Sequence, residues 1–150
     1  MKFITVDGID KSGKSSIIKE VFSATNGTVL IMDRSLSSWH FFNEITDRVP
    51  EEQKIRYAKE YNAKLKDFRS VVDLSIILTV SEKDWLIRCK EHSEQPLIGD
   101  LNFDEHQREI ERYFNKAKYK NVLRLNTTEL TIEECVNLIL KRLGGNYANK

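Results

Sequence analysis

The amino-terminal segment places a glycine-containing octapeptide between a short apolar run and a helical pattern. Phe3 to Val6 forms the apolar run and predicts a strand, whereas the segment from Lys14 to Ala24 carries apolar residues at helical spacing: Ile17, Ile18, Val21 and Phe22. Between them, Gly8 to Ser15 fits G-x-x-x-x-G-K-[ST]. Glycines let backbone N–H groups face one phosphate, and the following helix adds its positive end. The pattern therefore predicts a phosphate-binding loop in an α/β domain.

The side chains of this loop have separate expected roles. Lys14 is placed to reach the β and γ oxygens of ATP, and Ser15 is placed to ligate Mg²⁺. The residues expected around the donor phosphates are Gly8, Lys11, Ser12, Gly13, Lys14, Ser15 and Ser16. A chance glycine turn before a helix is the alternative, and the agreement of motif and position argues against it.

The next apolar run is followed by an acidic residue and an arginine. Thr28 to Met32 is typical of a parallel strand buried on both faces, and Asp33 and Arg34 follow it. Asp33 is the expected metal carboxylate, directly or through water, and its alternative is a solvated strand end or a helix cap. Arg34 is expected to hold a phosphate at the carboxyl edge of the sheet. Its alternative is a surface ion pair with Glu44 or Asp47.

The remaining pattern alternates helices with strands. Helical spacing predicts helices at 38–48, 51–70, 82–91, 104–118 and 131–143, and apolar runs predict strands at 73–80 and 122–125. Thr131 to Glu134 fits a capping box, and a polar segment at about 90–103 is the expected lid. The sequence predicts a single domain over residues 1–150, a three-layer α/β/α fold with an open parallel sheet of about four strands.

Composition argues against several other classes of protein. The chain has 24 Lys+Arg against 23 Asp+Glu, and the two signs are mixed, which argues against a dedicated nucleic-acid clamp. The two cysteines, Cys89 and Cys135, lack a C-x-x-C partner, so a zinc site or a disulfide framework is not expected. The sequence has no apolar run long enough to span a bilayer. We therefore expect a reduced cytoplasmic protein without a membrane partner.

Two motifs resemble those of thymidylate kinases. Phe3 to Ser16 resembles the family's opening, which reads F-I-x-x-E-G-x-D-[GR]-x-G-K-[ST]-T, and Asp33 to Ser38 resembles its D-R-[YF]-x-x-S motif. The second motif is also similar to the E-R-S motif of the related deoxynucleoside kinases. The resemblance implies a P-loop kinase fold, ATP and Mg²⁺ as cofactors, and phosphoryl transfer to a small-molecule nucleotide, first of all dTMP. It implies catalytic roles for Asp10, Lys14, Asp33 and Arg34, with Asp10 beside the acceptor sugar or phosphate.

The chain also departs from the family. Asp7, Ser16 and Ser35 replace a glutamate, a threonine and an aromatic residue. The strand and helices that the family inserts before the D-R motif, which carry an acceptor-binding arginine, are absent. We therefore expect an acceptor pocket rebuilt around Asp7, Asp10, Arg34, Ser37, Trp39, His40, Phe41, Phe42 and the helix that begins at Glu51, or a pocket open to a larger substrate.

Several assignments stay open at this point. Arg88 and Lys90 are the expected lid cations, with a solvated helix end as the alternative, and Asn126 to Thr128 occupies the place where related kinases hold the nucleotide base. One alternative function is a 5′-hydroxyl kinase acting on a deoxynucleoside or a polynucleotide. Another is a non-catalytic nucleotide-binding module. Related kinases pair through helices, so a homodimer is compatible with the sequence, and a nucleic-acid partner is not favoured.

Overall fold

The computed structural model describes residues 1–45, 49–91 and 102–144. Its elements follow one another as β1 (Lys2–Asp7), α1 (Lys14–Ala24), β2 (Val29–Asp33), α2 (Leu36–Ile45), α3 (Glu51–Val71), β3 (Leu74–Thr79), α4 (Glu82–Glu91), α5 (Phe103–Lys116), β4 (Val122–Asn126) and α6 (Ile132–Leu143). The alternating order confirms the predicted α/β fold. The predicted bounds agree within two residues wherever the described residues allow comparison, and most of the predicted lid, at 92–101, lies outside them.

The four strands form one parallel sheet in the order β2-β1-β3-β4. The expectation that the second strand is buried on both faces is wrong. β2 is an edge strand, and Leu30 and Met32 are 56% and 36% exposed. Val29 and Ile31 pack against the core on one face of β2, whereas Leu30 and Met32 point to the other face. A continuous apolar run therefore marked an edge strand covered on one face only.

Two apolar cores lie on opposite faces of the sheet and confirm the three-layer arrangement. Alternating residues of a strand point to opposite faces, so Ile76 packs with α1 and α6 whereas Ile77 packs with α2, α4 and α5. The first core contains Ile4, Val6, Ile17, Val21, Cys135 and Ile139. The second contains Phe41, Trp85, Cys89, Phe103, Ile110 and Phe114. Both cysteines are buried, Cys135 in the first core and Cys89 in the second.

Local signals fix where the later helices begin. The Thr131 hydroxyl accepts from the backbone N–H of Glu134, whose side chain accepts from the N–H of Thr131, as the capping box predicts. The Asn102 side chain accepts from the N–H of Glu105 at 2.9 Å and caps α5. Helical spacing puts Ile55 and Tyr61 on one face of α3, but Ile55 is 64% exposed and Tyr61 is the buried residue of that helix. No helix within the described ranges is long and apolar enough to cross a membrane.

Candidate active site

The carboxyl ends of all four strands meet at one edge of the sheet. Asp7 ends β1 and Gly8 follows it, and Arg34 follows β2. Thr127 follows β4 and is tied to the end of β3, because its N–H donates to the Thr79 carbonyl at 2.8 Å. Open parallel sheets bind ligands at this edge. The residues predicted from the two motifs are therefore brought to the same side of the molecule.

The phosphate loop is closely packed and needs its glycines. A Cβ on Gly8 would lie 2.6 Å from Ser12 Oγ and 3.1 Å from the Leu78 carbonyl oxygen. Gly13 has a φ of 99° and forms the N-cap of α1. The first turn of α1 has neither a side-chain cap nor an acidic side chain. Since the helix cannot pair its own first N–H groups, this end of α1 fits the oxygens of a phosphate.

Lys14 joins the loop to the end of β2. Its Nζ lies 3.0 Å from Asp33 Oδ1, and the two side chains are 9% and 55% exposed. The parallel pairing of β1 with β2 places the strand ends side by side and makes this contact possible. Ser15 and Ser16 are exposed at the start of α1. Lys14 and Asp33 are thus in contact at the carboxyl edge of the sheet, and Ser15 follows Lys14 at the exposed start of α1.

Arg34 also joins the end of β2 to the phosphate loop. Its Nη2 lies 2.7 Å from Asp10 Oδ1, and its guanidinium carbon lies 4.6 Å from the centroid of the Phe42 ring. Its backbone is left-handed, with a φ of 73°, and its N–H donates to the Val6 carbonyl at 2.8 Å. The ion pair is thus with Asp10, and not with Glu44. Asp47 lies outside the described residues.

Asp7 is buried without any exposed surface. Its Oδ1 accepts from the Ser35 N–H at 2.8 Å and from the Ser38 hydroxyl, whereas its Oδ2 has no hydrogen-bond partner. Burial raises the pKa of Asp7, although the hydrogen bonds from Ser38 and Ser35 and the charge of Lys14 act in the opposite direction. Asp7 anchors the start of α2 to β1 and leaves one carboxyl oxygen unused.

Ser37, an expected acceptor-binding residue, lies in a buried hydroxyl network. Its hydroxyl lies 2.9 Å from that of Ser35, and its N–H donates to the Tyr119 hydroxyl at 3.1 Å. The Tyr119 hydroxyl in turn donates to Ser35 at 2.9 Å. The structure therefore uses Ser37 to position the chain that follows Arg34. Tyr119 lies 82 positions from Ser37, so no local pattern in the sequence links the two.

The aromatic residues after Arg34 have different surroundings. Trp39 is 39% exposed and packs edge-on against Tyr57, with ring centroids 5.7 Å apart. His40 stacks on Tyr61 at 4.2 Å, and its Nε2 lies 3.3 Å from Glu44 Oε1. Burial lowers the pKa of His40, and the charge of Glu44 opposes that shift. Phe42 lies beside Arg34, so it is the aromatic side chain placed directly at the site.

Arg88 forms its hydrogen bonds with neighbouring segments of the protein. Its Nη1 donates to the Lys11 carbonyl at 2.8 Å and to Thr127 Oγ1 at 3.2 Å, and its Nη2 donates to the Thr127 carbonyl at 3.0 Å. It therefore joins the phosphate loop to the segment after β4, where the resemblance placed the nucleotide base. Lys90 is exposed near the end of α4.

His106 of α5 was missed by sequence reasoning. Only 3% of it is exposed, neither ring nitrogen has a hydrogen-bond partner, and its ring lies 5.6 Å from Phe41 and 5.9 Å from Phe42. Burial lowers the pKa of His106; the charge of Asp10 opposes that shift, and the charge of Arg34 adds to it. The available signal was its position between Phe103 and Ile110 on the apolar face of a helix.

The acidic side chains suit a metal that is held mainly by its nucleotide. Within the described residues, no group of three or more His, Cys, Asp or Glu side chains is arranged to hold a metal. Mg²⁺ usually keeps several waters and takes one or two protein ligands together with substrate phosphates. Ser15 and the exposed carboxylate of Asp33 fit that limited requirement.

Comparison with known proteins identifies the fold. Neither a family model nor a curated protein sequence matches the chain. A deoxyadenosine kinase from M. mycoides with dCMP and dCDP bound is 19% identical, with a TM-score of 0.67 over 94% of this chain and 98% of that chain. The same enzyme with dATP bound gives 17% identity and a TM-score of 0.63, over 95% of this chain and 100% of that chain. Thymidylate kinase from Candida albicans is 13% identical, with a TM-score of 0.53 over 93% of this chain and 89% of that chain. The chain therefore has a P-loop nucleoside or nucleotide kinase-like fold.

Proposed function

We propose that the protein transfers the γ-phosphoryl group of Mg-ATP to a deoxynucleoside monophosphate, with dTMP as the first acceptor to test. One observation carries the proposal. The uncapped start of α1 shares the carboxyl edge of the sheet with two cation–carboxylate pairs, Lys14–Asp33 and Arg34–Asp10. The solved structures with this fold that are named above are kinases of deoxynucleosides or nucleotides, which supports the same class of reaction here.

On the donor side, Lys14 exchanges its partner when ATP binds. In the structure its ammonium group faces Asp33 at 3.0 Å, and the phosphate oxygens of ATP offer a denser negative charge at the same loop. Asp33, directly or through water, and Ser15 would then hold Mg²⁺, which would supply positive charge to neutralise the transferred group.

On the acceptor side, Arg34 is placed to hold a phosphate. Its planar guanidinium suits two oxygens of one phosphate, and its Nε has no partner among the protein atoms. Asp10, released from Arg34, is placed to accept a hydrogen bond from the acceptor. These side chains align the two reactants and neutralise charge, which is most of what in-line phosphoryl transfer requires of a protein.

A second function, a 5′-hydroxyl kinase acting on a deoxynucleoside or a polynucleotide end, is favoured by Asp7. This carboxyl group is buried beside the loop with Oδ2 unpartnered, and a hydroxyl acceptor has a proton to lose to a carboxylate. A deoxyadenosine kinase is among the proteins that share the fold. A monophosphate acceptor, by contrast, needs cations that neutralise its charge, and Arg34 provides one.

The direct experiment measures ADP formation from Mg-ATP alone and with dTMP, thymidine, deoxyadenosine or a 5′-hydroxyl oligonucleotide. We expect dTMP to stimulate ADP formation and Lys14→Ala to abolish the stimulation, by about 100-fold or more. Lys19→Ala, which changes an exposed lysine of the same helix, is the matched control. Stimulation only by a hydroxyl acceptor would replace the first proposal with the second. Tight ATP binding without acceptor-dependent turnover would leave a nucleotide-binding module.

A further inference from the structure

His106 lies beside the proposed acceptor site without a protein partner. Phe42 is the common neighbour, because the guanidinium of Arg34 lies 4.6 Å from the centroid of its ring and the His106 ring lies 5.9 Å from it at 81°. Phe41, which is fully buried, lies against His106 at 5.6 Å. His106 is thus enclosed by aromatic side chains next to the Arg34–Asp10 pair.

The surroundings of the His106 ring lower the stability of the protein in the absence of a ligand. Both imidazole nitrogens are buried and neither makes a hydrogen bond. A buried polar group without a partner destabilises the fold, and an apolar side chain of similar size would avoid that loss. Nothing in the packing around Phe41 and Phe42 requires a nitrogen, so the ring is better explained by a ligand that supplies the missing partner.

The backbone holds this ring in a fixed place. His106 lies in the first turns of α5, its N–H donates to the Asn102 carbonyl at 2.9 Å, and the Asn102 side chain caps the helix. A capped helix packed into the second core presents a side chain more rigidly than a loop does. The ring is therefore prepared for recognition before any ligand arrives.

We propose that His106 is an acceptor-binding residue whose ring nitrogen hydrogen-bonds to the nucleoside part of the acceptor, a sugar hydroxyl or the edge of the base. The inference rests on the proposed function, because it assigns the acceptor to the Arg34 side of the phosphate loop. A neutral imidazole carries one donor and one acceptor nitrogen, so it suits either partner. Burial favours the neutral ring by lowering its pKa.

The first test needs no turnover. Imidazole NMR signals of wild-type protein are followed during titration with dTMP, thymidine and 2-deoxyribose 5-phosphate, and the spectrum of His106→Leu assigns the His106 signal among the 3 histidines. We expect thymidine and dTMP to shift the His106 signal. A shift with the sugar phosphate as well assigns the partner to the sugar, and its absence there assigns the partner to the base. No shift with any of the three would overturn the inference.

The second test separates recognition from a structural role. His106→Leu should raise the KM for the acceptor about ten-fold and leave the KM for ATP and kcat within about two-fold, since a lost hydrogen bond of ordinary strength has that effect. Either His106→Gln or His106→Asn, whose amides replace a ring nitrogen, should restore part of the acceptor affinity. Arg108→Gln, an exposed change on the same helix, should alter none of these values.

Thermal stability gives an independent readout. Removing two unpartnered nitrogens should raise the Tm of His106→Leu by about 2–4 °C. A lower Tm together with an unchanged acceptor KM would show that His106 is structural. If no acceptor supports turnover, the proposed function fails by itself, and the NMR titration still decides whether His106 binds a nucleoside.

Discussion

Replacing Arg88 tests whether this arginine holds the phosphate loop or acts on the transferred phosphate. Its guanidinium donates to the carbonyl oxygens of Lys11 and Thr127 at 2.8 and 3.0 Å. Hydrogen bonds from charged donors contribute about 1.5–3 kcal/mol each when buried, and a half-buried side chain warrants a lower value. Loss of both contacts is therefore worth about 2 kcal/mol, or roughly 30-fold in an equilibrium constant.

This loss should affect ATP binding more than chemistry. Without Arg88 the phosphate loop is no longer fastened to the segment after β4, and ATP must order the loop as it binds. We expect Arg88→Ala to raise the KM for ATP by up to about 30-fold, with kcat within about three-fold. Arg88→Lys should recover part of the loss, because an ammonium group reaches one carbonyl at a time. Lys83→Ala, on the exposed face of α4, is the control.

Steady-state kinetics and thermal melting distinguish the two roles. A loop-holding Arg88 also contributes to folding, so Arg88→Ala should lower the Tm, by at most about 4–8 °C. The reasoning is refuted if kcat falls 100-fold or more while the KM for ATP and the Tm stay unchanged. That result would return Arg88 to the role of a lid cation that contacts the transferring group.

Two further substitutions test the acceptor side. Arg34→Ala should lower kcat far more than it lowers ATP affinity. Turnover measurements and calorimetry of ATP binding check this prediction. Unchanged turnover would limit Arg34 to its ion pair with Asp10. Burial raises the pKa of Asp7 above its ordinary 3.8, so the folded protein favours the protonated carboxyl group. The contribution of Asp7 to the stability of the fold is therefore fully present below pH 3.8, and it is lost as the pH rises through the pKa of Asp7 in the folded protein. Asp7→Asn should therefore raise the Tm at about pH 8 and leave it nearly unchanged below pH 3.8, and an equal effect at both pH values would contradict the assignment.

The phosphate loop and the element order are predictable because their signals are local. Gly8 and Gly13 take conformations or close contacts that glycine accommodates, and the strand before them and helix after them show their own periodicity. Asp33 and Arg34 are predictable for the same reason, since the end of a parallel strand always reaches the ligand-binding edge. The capping box at Thr131 fixed the start of the last helix to within one residue.

The remaining features depend on contacts between distant segments. Arg88 meets Lys11 across 77 positions, and Ser37 meets Tyr119 across 82, so no window of sequence contains both partners. The exposure of β2 depends on its place in the sheet, which an apolar run does not report. His106 was visible as a polar residue on an apolar helix face, but only the structure shows that both nitrogens are unpartnered.

The two ion pairs show how the cations beside the phosphate loop can be held in place and still be available for the proposed exchange to phosphate. Asp33 and Asp10 are 55% and 56% exposed, and exposed pairs contribute at most about 1 kcal/mol each. If the proposed function holds, Lys14 and Arg34 exchange these carboxylates for phosphate oxygens, which carry more charge, at little energetic cost. In that proposal Asp33 then faces the metal and Asp10 faces the acceptor. The carboxylates that orient the two cations in this structure would thus become ligand-binding groups.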